Sequence, residues 1–231
     1  MHITKLPYLK LVFENSFQPY EVDKLRDIAI SLTKGHAILY HNHIENKFNY
    51  DYPLIQYKII SNKGAILYLH HGIEHIHYLF NQLEESKGKI KLKLQKIFSF
   101  NYSIVSNGEF EYELLRWLPL YDEYYEEFKQ LELPEEKEIF LKIRLKDNIL
   151  TFLRGIDFNF TNNNDKIEIQ NFQILKEDWI SFKDVKFKYF NVKFKTNIFL
   201  PPHIGLGKGA AKNYGVVFPQ KHPSKIVNKK I

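Results

Sequence analysis

Hydrophobic positions along the first hundred residues change period in a regular order. Residues 8–13 (YLKLVF) are apolar-rich and read as a strand. Pro19 suits the first turn of a helix, where its missing N–H costs nothing. Val22, Leu25, Ala29 and Leu32 then share one helical face, and Lys34-Gly35 supplies a basic last turn and a glycine C-cap. Residues 54–60 and 65–70 read as two strands joined by a hairpin turn at Ser61-Asn62-Lys63-Gly64. Ile73, Ile76, Phe80 and Leu83 restore the helical spacing over residues 73–85, and Lys87-Gly88 ends it. Ile90, Leu92 and Leu94 alternate with Lys89, Lys91 and Lys93, which predicts a strand with one apolar and one basic face. The order β-α-β-β-α-β is that of ferredoxin-like folds and of RNA-recognition modules, and it fits many functions.

Beyond residue 108 the pattern restarts. Residues 110–118 read as a strand and 122–131 as an acidic helix. A second helix over 135–152 has Ile139, Ile143, Leu145, Ile149 and Phe152 as its apolar positions. Asn162-Asn163-Asn164-Asp165 is a turn, and 167–175 and 185–199 are strands, the second long enough to bend into a hairpin. Within it Val185, Phe187 and Tyr189 alternate with Lys186 and Lys188, again basic on one face. Residues 216–218 make a short closing strand, and the lysine-rich tail after Pro219 is expected to be mobile. The reading is an α+β chain of two tandem ferredoxin-like domains, 1–108 and 109–231, with a C-terminal glycine-rich loop.

Composition narrows the chemistry. Of 231 residues, 44 % are hydrophobic and 26 % charged, as in folded globular proteins. There is no cysteine, which excludes disulfide scaffolds, thiol catalysis and cysteine-rich metal sites. No apolar run has membrane-spanning length and the N-terminus lacks a signal-peptide core, so a cytoplasmic location is expected. Residues 109–138 hold 11 acidic residues against Arg116, Lys129 and Lys137, a balance of −8, so the rest of a chain of net charge +6 carries +14. Such segregation points to a polyanionic partner, with nucleic acid first.

Seven of the ten histidines lie between His36 and His77. In Tyr40-His41-Asn42-His43, residues two apart project to the same side of an extended chain, so His41 and His43 would present two imidazoles together. Two groups of near-neutral pKa can serve as base and acid. Such a pair can cleave RNA without metal, one imidazole taking the proton of a ribose 2′-hydroxyl and the other protonating the departing 5′-oxygen. The plainer reading is that they cap the turn or bond within the core. His71 and His75 are four apart, and a helix starting early would align them for a metal ion, but no HExxH pattern or third ligand accompanies them. A capping or surface role suits them better.

The segment after Pro201-Pro202-His203-Ile204 holds Gly205, Gly207, Gly209 and Gly215, four of the ten glycines in eleven residues. It tolerates positive φ and close backbone approach, and Lys208 and Lys212 add charge for phosphates. It is neither a P-loop nor a dinucleotide fingerprint.

Two ferredoxin-like halves, a histidine after the first helix and this glycine-rich segment resemble the CRISPR repeat-processing endoribonucleases, the Cas six family. The family loop runs G-x-G, five residues, G-x-G. Gly205, Gly207 and Gly215 occupy three of those positions, and Asn213, the next-best residue for a left-handed backbone, stands in the third. His41-Asn42-His43 followed by FNYDYPLIQYK (48–58) resembles the subtype I-B branch, whose members carry paired histidines here. The resemblance spans residues 5–220. It implies cleavage within a CRISPR repeat, without metal or other cofactor, leaving a 2′,3′-cyclic phosphate. His41 and His43 would be the acid–base pair in either order. Lys47 and Tyr50 or Tyr52 would support the phosphorane. Gly205, Gly207, Lys208, Gly209, Lys212, Asn213, Gly215 and the basic strand faces at Lys89, Lys91, Lys93, Lys186 and Lys188 would hold the RNA. The partners implied are CRISPR repeat RNA and the interference complex, the protein being a monomer or homodimer with no membrane contact. An RNA-binding protein of this fold that does not cleave is the alternative.

Overall fold

The computed structural model describes residues 4–33, 43–44, 47–48, 51–85, 92–121, 123–158, 160, 166–182 and 185–220, with only the backbone at 43–44, 47–48 and 182. The expected features at Lys34-Gly35, Lys87-Gly88, 162–165 and the tail beyond Gln220 lie outside these residues. The described residues divide into two compact units: an N-terminal unit within 5–102 with 211–213, and a C-terminal unit within 103–210 with 214–220. The changeover thus comes six residues before the expected 108/109 division, and three late residues belong to the first unit. Among the described residues no helix is long and apolar enough to cross a membrane.

In the N-terminal unit, β1 (Thr4–Ser16) leads through a 3-10 turn at Pro19–Glu21 into α1 (Val22–Leu32). Glu21 accepts from the Gln18 N–H at 2.8 Å, which meets one of the bare donors of a helix start. Two-residue strands β2 (His43–Ile44) and β3 (Lys47–Phe48) pair with each other. Then come β4 (Ile55–Ile60), β5 (Lys63–Leu69), a 3-10 helix at His70–His75, α2 (Ile76–Glu85) and β6 (Leu94–Ile104). The sheet order β4-β5-β1-β6 is the ferredoxin-like order. Its β4–β5 turn is tighter than expected: Ser61 and Asn62, at φ 49° and 59°, form a two-residue loop, so Lys63 and Gly64 join the strand.

Leu11, Phe13, Ile55, Tyr57, Ile66 and Tyr68 pack with Val22, Leu25, Ala29 and Leu79 as one core on the helix side of this sheet. Tyr8, of opposite parity to Leu11, meets Tyr102 edge-on at 5.3 Å on the other face. β6 is eleven residues long and starts after the lysine alternation rather than within it. Leu92 is buried and Lys93 precedes the strand, its ammonium 2.8 Å from Glu14. The expected basic strand face therefore does not form at Lys93, and Lys89 and Lys91 lie outside the described residues.

In the C-terminal unit, β7 (Phe110–Trp117) is followed by α3 (Glu123–Gln130), α4 (Pro134–Gly155), β8 (Ile169–Phe182), β9 (Val185–Thr196) and β10 (Val216–Pro219). The sheet order β10-β7-β9-β8 repeats the topology of the first unit. β9 does not fold back on itself; it pairs with β8 from Phe182↔Val185 to Ile169↔Thr196. The helix expected of this topology between the last two strands is replaced by residues 197–215, which contain the glycine segment.

Along α4 the buried stripe is Phe140, Leu141, Leu145, Asn148, Ile149, Phe152 and Leu153. Ile139 and Ile143, expected in the core, are 57 % and 46 % exposed, because the pairs at 140/141, 148/149 and 152/153, with Leu145, set the phase. The stripe carries one polar residue: buried Asn148 accepts the Trp117 indole N–H at 2.8 Å. Trp117 is fully buried, edge-on to Phe190 at 6.5 Å. Replacing Asn148 by leucine leaves that N–H without an acceptor, and chemical denaturation of Asn148→Leu should show a loss of ~1–3 kcal/mol.

Candidate nucleic-acid interface

The glycine segment is a pinned loop. His203 N–H donates to Val217 O at 2.8 Å, Val217 N–H to Ile204 O at 2.9 Å, and Leu206 N–H to Gly215 O at 2.8 Å. These bonds close residues 203–206 against 215–217, and Gly205 bridges Val216. Gly207 (φ 79°) passes over the Trp117–Asn148 pair so closely that a Cβ there would lie 2.7 Å from Asn148 Oδ1. Gly215 (φ 56°) is tighter still: a Cβ would meet Leu206 O at 1.9 Å. Both positions therefore need glycine for conformation and for space.

Two cations accompany the loop in the C-terminal unit. The Lys208 ammonium stands 5.2 Å from the Tyr121 ring centre and 5.1 Å from that of Phe187 on β9. It is held between two aromatic faces and makes no ion pair among the described residues. Arg116 sits in a left-handed conformation (φ 51°), where β7 bulges against β9. Its N–H donates to Asn191 Oδ1 at 2.8 Å, its carbonyl accepts the Gly215 N–H at 3.0 Å, and its guanidinium lies 5.9 Å from the Tyr214 ring centre. Burial pushes the Arg116 pKa down, opposed by Tyr214 and Tyr189. A charged, strained residue against the glycine loop is a marked candidate contact, and β-strand periodicity alone gave no reason to single it out.

Residues 211–213 are bound into the N-terminal unit along β4, the edge strand of its sheet. Tyr57 N–H donates to Ala211 O at 2.7 Å, Ile59 N–H to Asn213 Oδ1 at 3.3 Å, and the buried Lys58 ammonium to Lys212 O at 2.5 Å. Lys212 itself pairs with Asp23. Lys212 and Asn213, expected to face phosphates, thus hold the segment on the strand edge. Lys188 is likewise engaged: it pairs with Glu177 and stands 5.5 Å from the Trp179 ring centre, while Lys186 is exposed.

Of the expected catalytic group, His41 and Tyr50 lie outside the described residues. His43 and Lys47 are described in backbone only, in the β2–β3 ladder, with His43 opposite Phe48 and Ile44 opposite Lys47. Tyr52 is buried, and its hydroxyl accepts from Gln56 Nε2 at 2.9 Å. Burial pushes its pKa well up, and its hydroxyl is engaged inside the unit by Gln56. His71 and His75 fall on a 3-10 helix, where residues four apart point ~120° away from each other. The alignment that a metal pair needs is absent, and His71 Nδ1 instead meets His70 Nδ1 at 2.7 Å.

Residues 4–101 match the family model of the Cas6b N-terminal domain and residues 104–220 that of the Cas6b C-terminal domain. The chain belongs to the Cas6b family. Among solved structures, "Crystal structure of Cas6b" superposes with a TM-score of 0.77 at 21 % identity, covering 94 % of this chain and 100 % of that one. A second, "Crystal structure of CRISPR RNA processing endoribonuclease Cas6b", gives 0.66 at 23 % with the same coverage. "Csf5, CRISPR-Cas type IV Cas6 crRNA endonuclease" gives 0.58 at 9 %, again covering 94 % and 100 %. No curated protein matches the sequence. The two tandem α+β units are thus those of the Cas6b fold. In this Cas6b chain Gly207→Ala should strain the loop and displace Asn148. Its denaturation midpoint should fall by an amount equivalent to ~1–3 kcal/mol, whereas Lys186→Ala, at an exposed position, should cost under ~0.5 kcal/mol.

Proposed function

We propose that this protein is a metal-independent endoribonuclease that binds CRISPR repeat RNA and cuts within the repeat. The match of both halves to the two Cas6b domains carries the reading. The nucleophile is the ribose 2′-hydroxyl of the substrate. One histidine of the pair His41 and His43 takes its proton as the 2′-oxygen attacks the adjacent phosphorus. The other donates a proton to the 5′-oxygen as the P–O5′ bond breaks. The products are a 2′,3′-cyclic phosphate and a 5′-hydroxyl, so atoms balance without water or metal. Lys47 and Tyr50 are the remaining candidates for steadying the phosphorane.

RNA is held along the C-terminal unit at Gly205, Gly207, Lys208, Gly209 and Gly215. Lys208 is the principal phosphate contact, because two aromatic rings fix it and no carboxylate neutralises it among the described residues. Lys186 and Arg116 extend the positive track. The trimmed RNA then serves the interference complex, and a cytoplasmic site of action fits a protein that works on new transcripts.

His41→Ala and His43→Ala should each slow cleavage of labelled repeat RNA by ~10²-fold or more while leaving binding intact. Wild-type activity should survive EDTA and vanish when the sugar 5′ of the scissile phosphate is 2′-deoxy. A shifted but uncut RNA band with the wild-type protein would favour a non-cleaving RNA binder. Lys208→Ala should weaken binding and flatten the log–log salt slope by ~0.7 if that stretch of RNA is single-stranded.

A further inference from the structure

A cavity of about 360 Å³ lies in the C-terminal unit and has no part in the reading given so far. Its walls include Tyr121 and Tyr124, which precede and begin α3, and Arg144, Asp147, Asn148 and Arg154 from α4. The α4 residues recur at helical spacing, so one face of the helix supplies them. Asn148 is the residue over which Gly207 passes, and Tyr121 is one of the rings that hold Lys208. The cavity therefore adjoins the glycine segment.

Its chemistry is specific. The Arg144 guanidinium lies 4.0 Å from the Tyr124 ring centre and gives one Nη to Asp147 at 2.8 Å. Its Nε–H is buried with no acceptor among the described residues. A buried donor left open is uncommon, and an incoming oxygen would satisfy it. Arg154 is exposed and makes no ion pair among the described residues. Among the described residues Asp147 is the one carboxylate in the lining, and Arg144 offsets it; Lys208, against Tyr121, adds a positive charge beside that of Arg154. Cations select a phosphate, and tyrosine rings select a planar base.

We propose that this cavity takes one unpaired nucleotide of the bound RNA, its base against the tyrosine rings and its phosphate on Arg154 and Arg144 Nε. The proposal rests on the RNA-processing reading and adds a subsite to it. Its tyrosines come from the acidic 109–138 stretch and its arginines from α4 beyond it, so neither the charge balance nor the apolar period along the chain pointed to the site.

The test is fluorescence anisotropy of labelled repeat RNA across a KCl series with wild type, Arg154→Ala and Tyr124→Leu, each checked by thermal melting. Arg154→Ala should weaken binding and flatten the salt slope by ~0.7. Tyr124→Leu should weaken it ~5-fold or more with the slope unchanged, since stacking carries no counterion release. If Tyr124→Leu also melts early, exposed Arg154 decides the question alone. Wild-type affinity and slope in Arg154→Ala, with the parent protein still cutting the repeat, would overturn the subsite and leave the RNA reading standing. Failure of the parent to bind repeat RNA would overturn both. Adenosine monophosphate raising the melting temperature of the parent while Arg154→Ala keeps full RNA affinity would assign the cavity to free nucleotides and overturn the proposal.

Discussion

The indole N–H of Trp117 must find an acceptor once it is fully buried, and much of the C-terminal unit follows from how it does so. Asn148 supplies the oxygen from the middle of an otherwise apolar helix stripe. That pair occupies the space a side chain at position 207 would need, so only glycine can cross it. The crossing sets the left-handed turn at Gly207, and the ladder from Leu206 to Gly215 closes the loop behind it. A core hydrogen bond thus dictates the conformation of a surface segment. The same asparagine forms a wall of the cavity on α4, which couples the packing of the helix to both candidate contact regions.

The loop also shows why lysines near glycines are not equivalent. Lys208 is clamped between Tyr121 and Phe187, an arrangement that holds the chain of the side chain while leaving its charge unneutralised among the described residues. Four residues on, Lys212 is spent on Asp23, and its carbonyl on the buried ammonium of Lys58. Position along the loop, rather than residue type, decides which charge faces outward.

Element order was legible because strand and helix periods differ and turn residues stood between them; Pro19, Ser61-Asn62 and the apolar face of α1 all fell where the pattern placed them. The pattern placed a strand up to Leu94, where β6 begins; beyond it Phe98 and Phe100 share one parity with Lys96, and Ile97 shares the other with Gln95, Ser99 and Asn101, so neither face of this edge strand reads as purely apolar. It misphased α4, because Ile139 and Ile143 look as apolar as the Phe140-Leu141 pair that takes the core. Long-range engagements were invisible in principle. Nothing near Lys58 in sequence announces that its ammonium will bond a carbonyl 154 residues later, nor that Glu177 will take Lys188. The glycine segment was found by composition, but Arg116, Arg144 and Arg154 emerge only when the fold brings them to the loop and cavity.

The proposed RNA contact centres on Lys208 in the glycine loop. Amide hydrogen exchange read by mass spectrometry, with and without repeat RNA, addresses it without altering a side chain. RNA should slow exchange across the peptide spanning Gly207 to Tyr214, with the strongest effect at Lys208 and Gly209. Unchanged exchange there, with protection confined to other segments of a saturated complex, would contradict it.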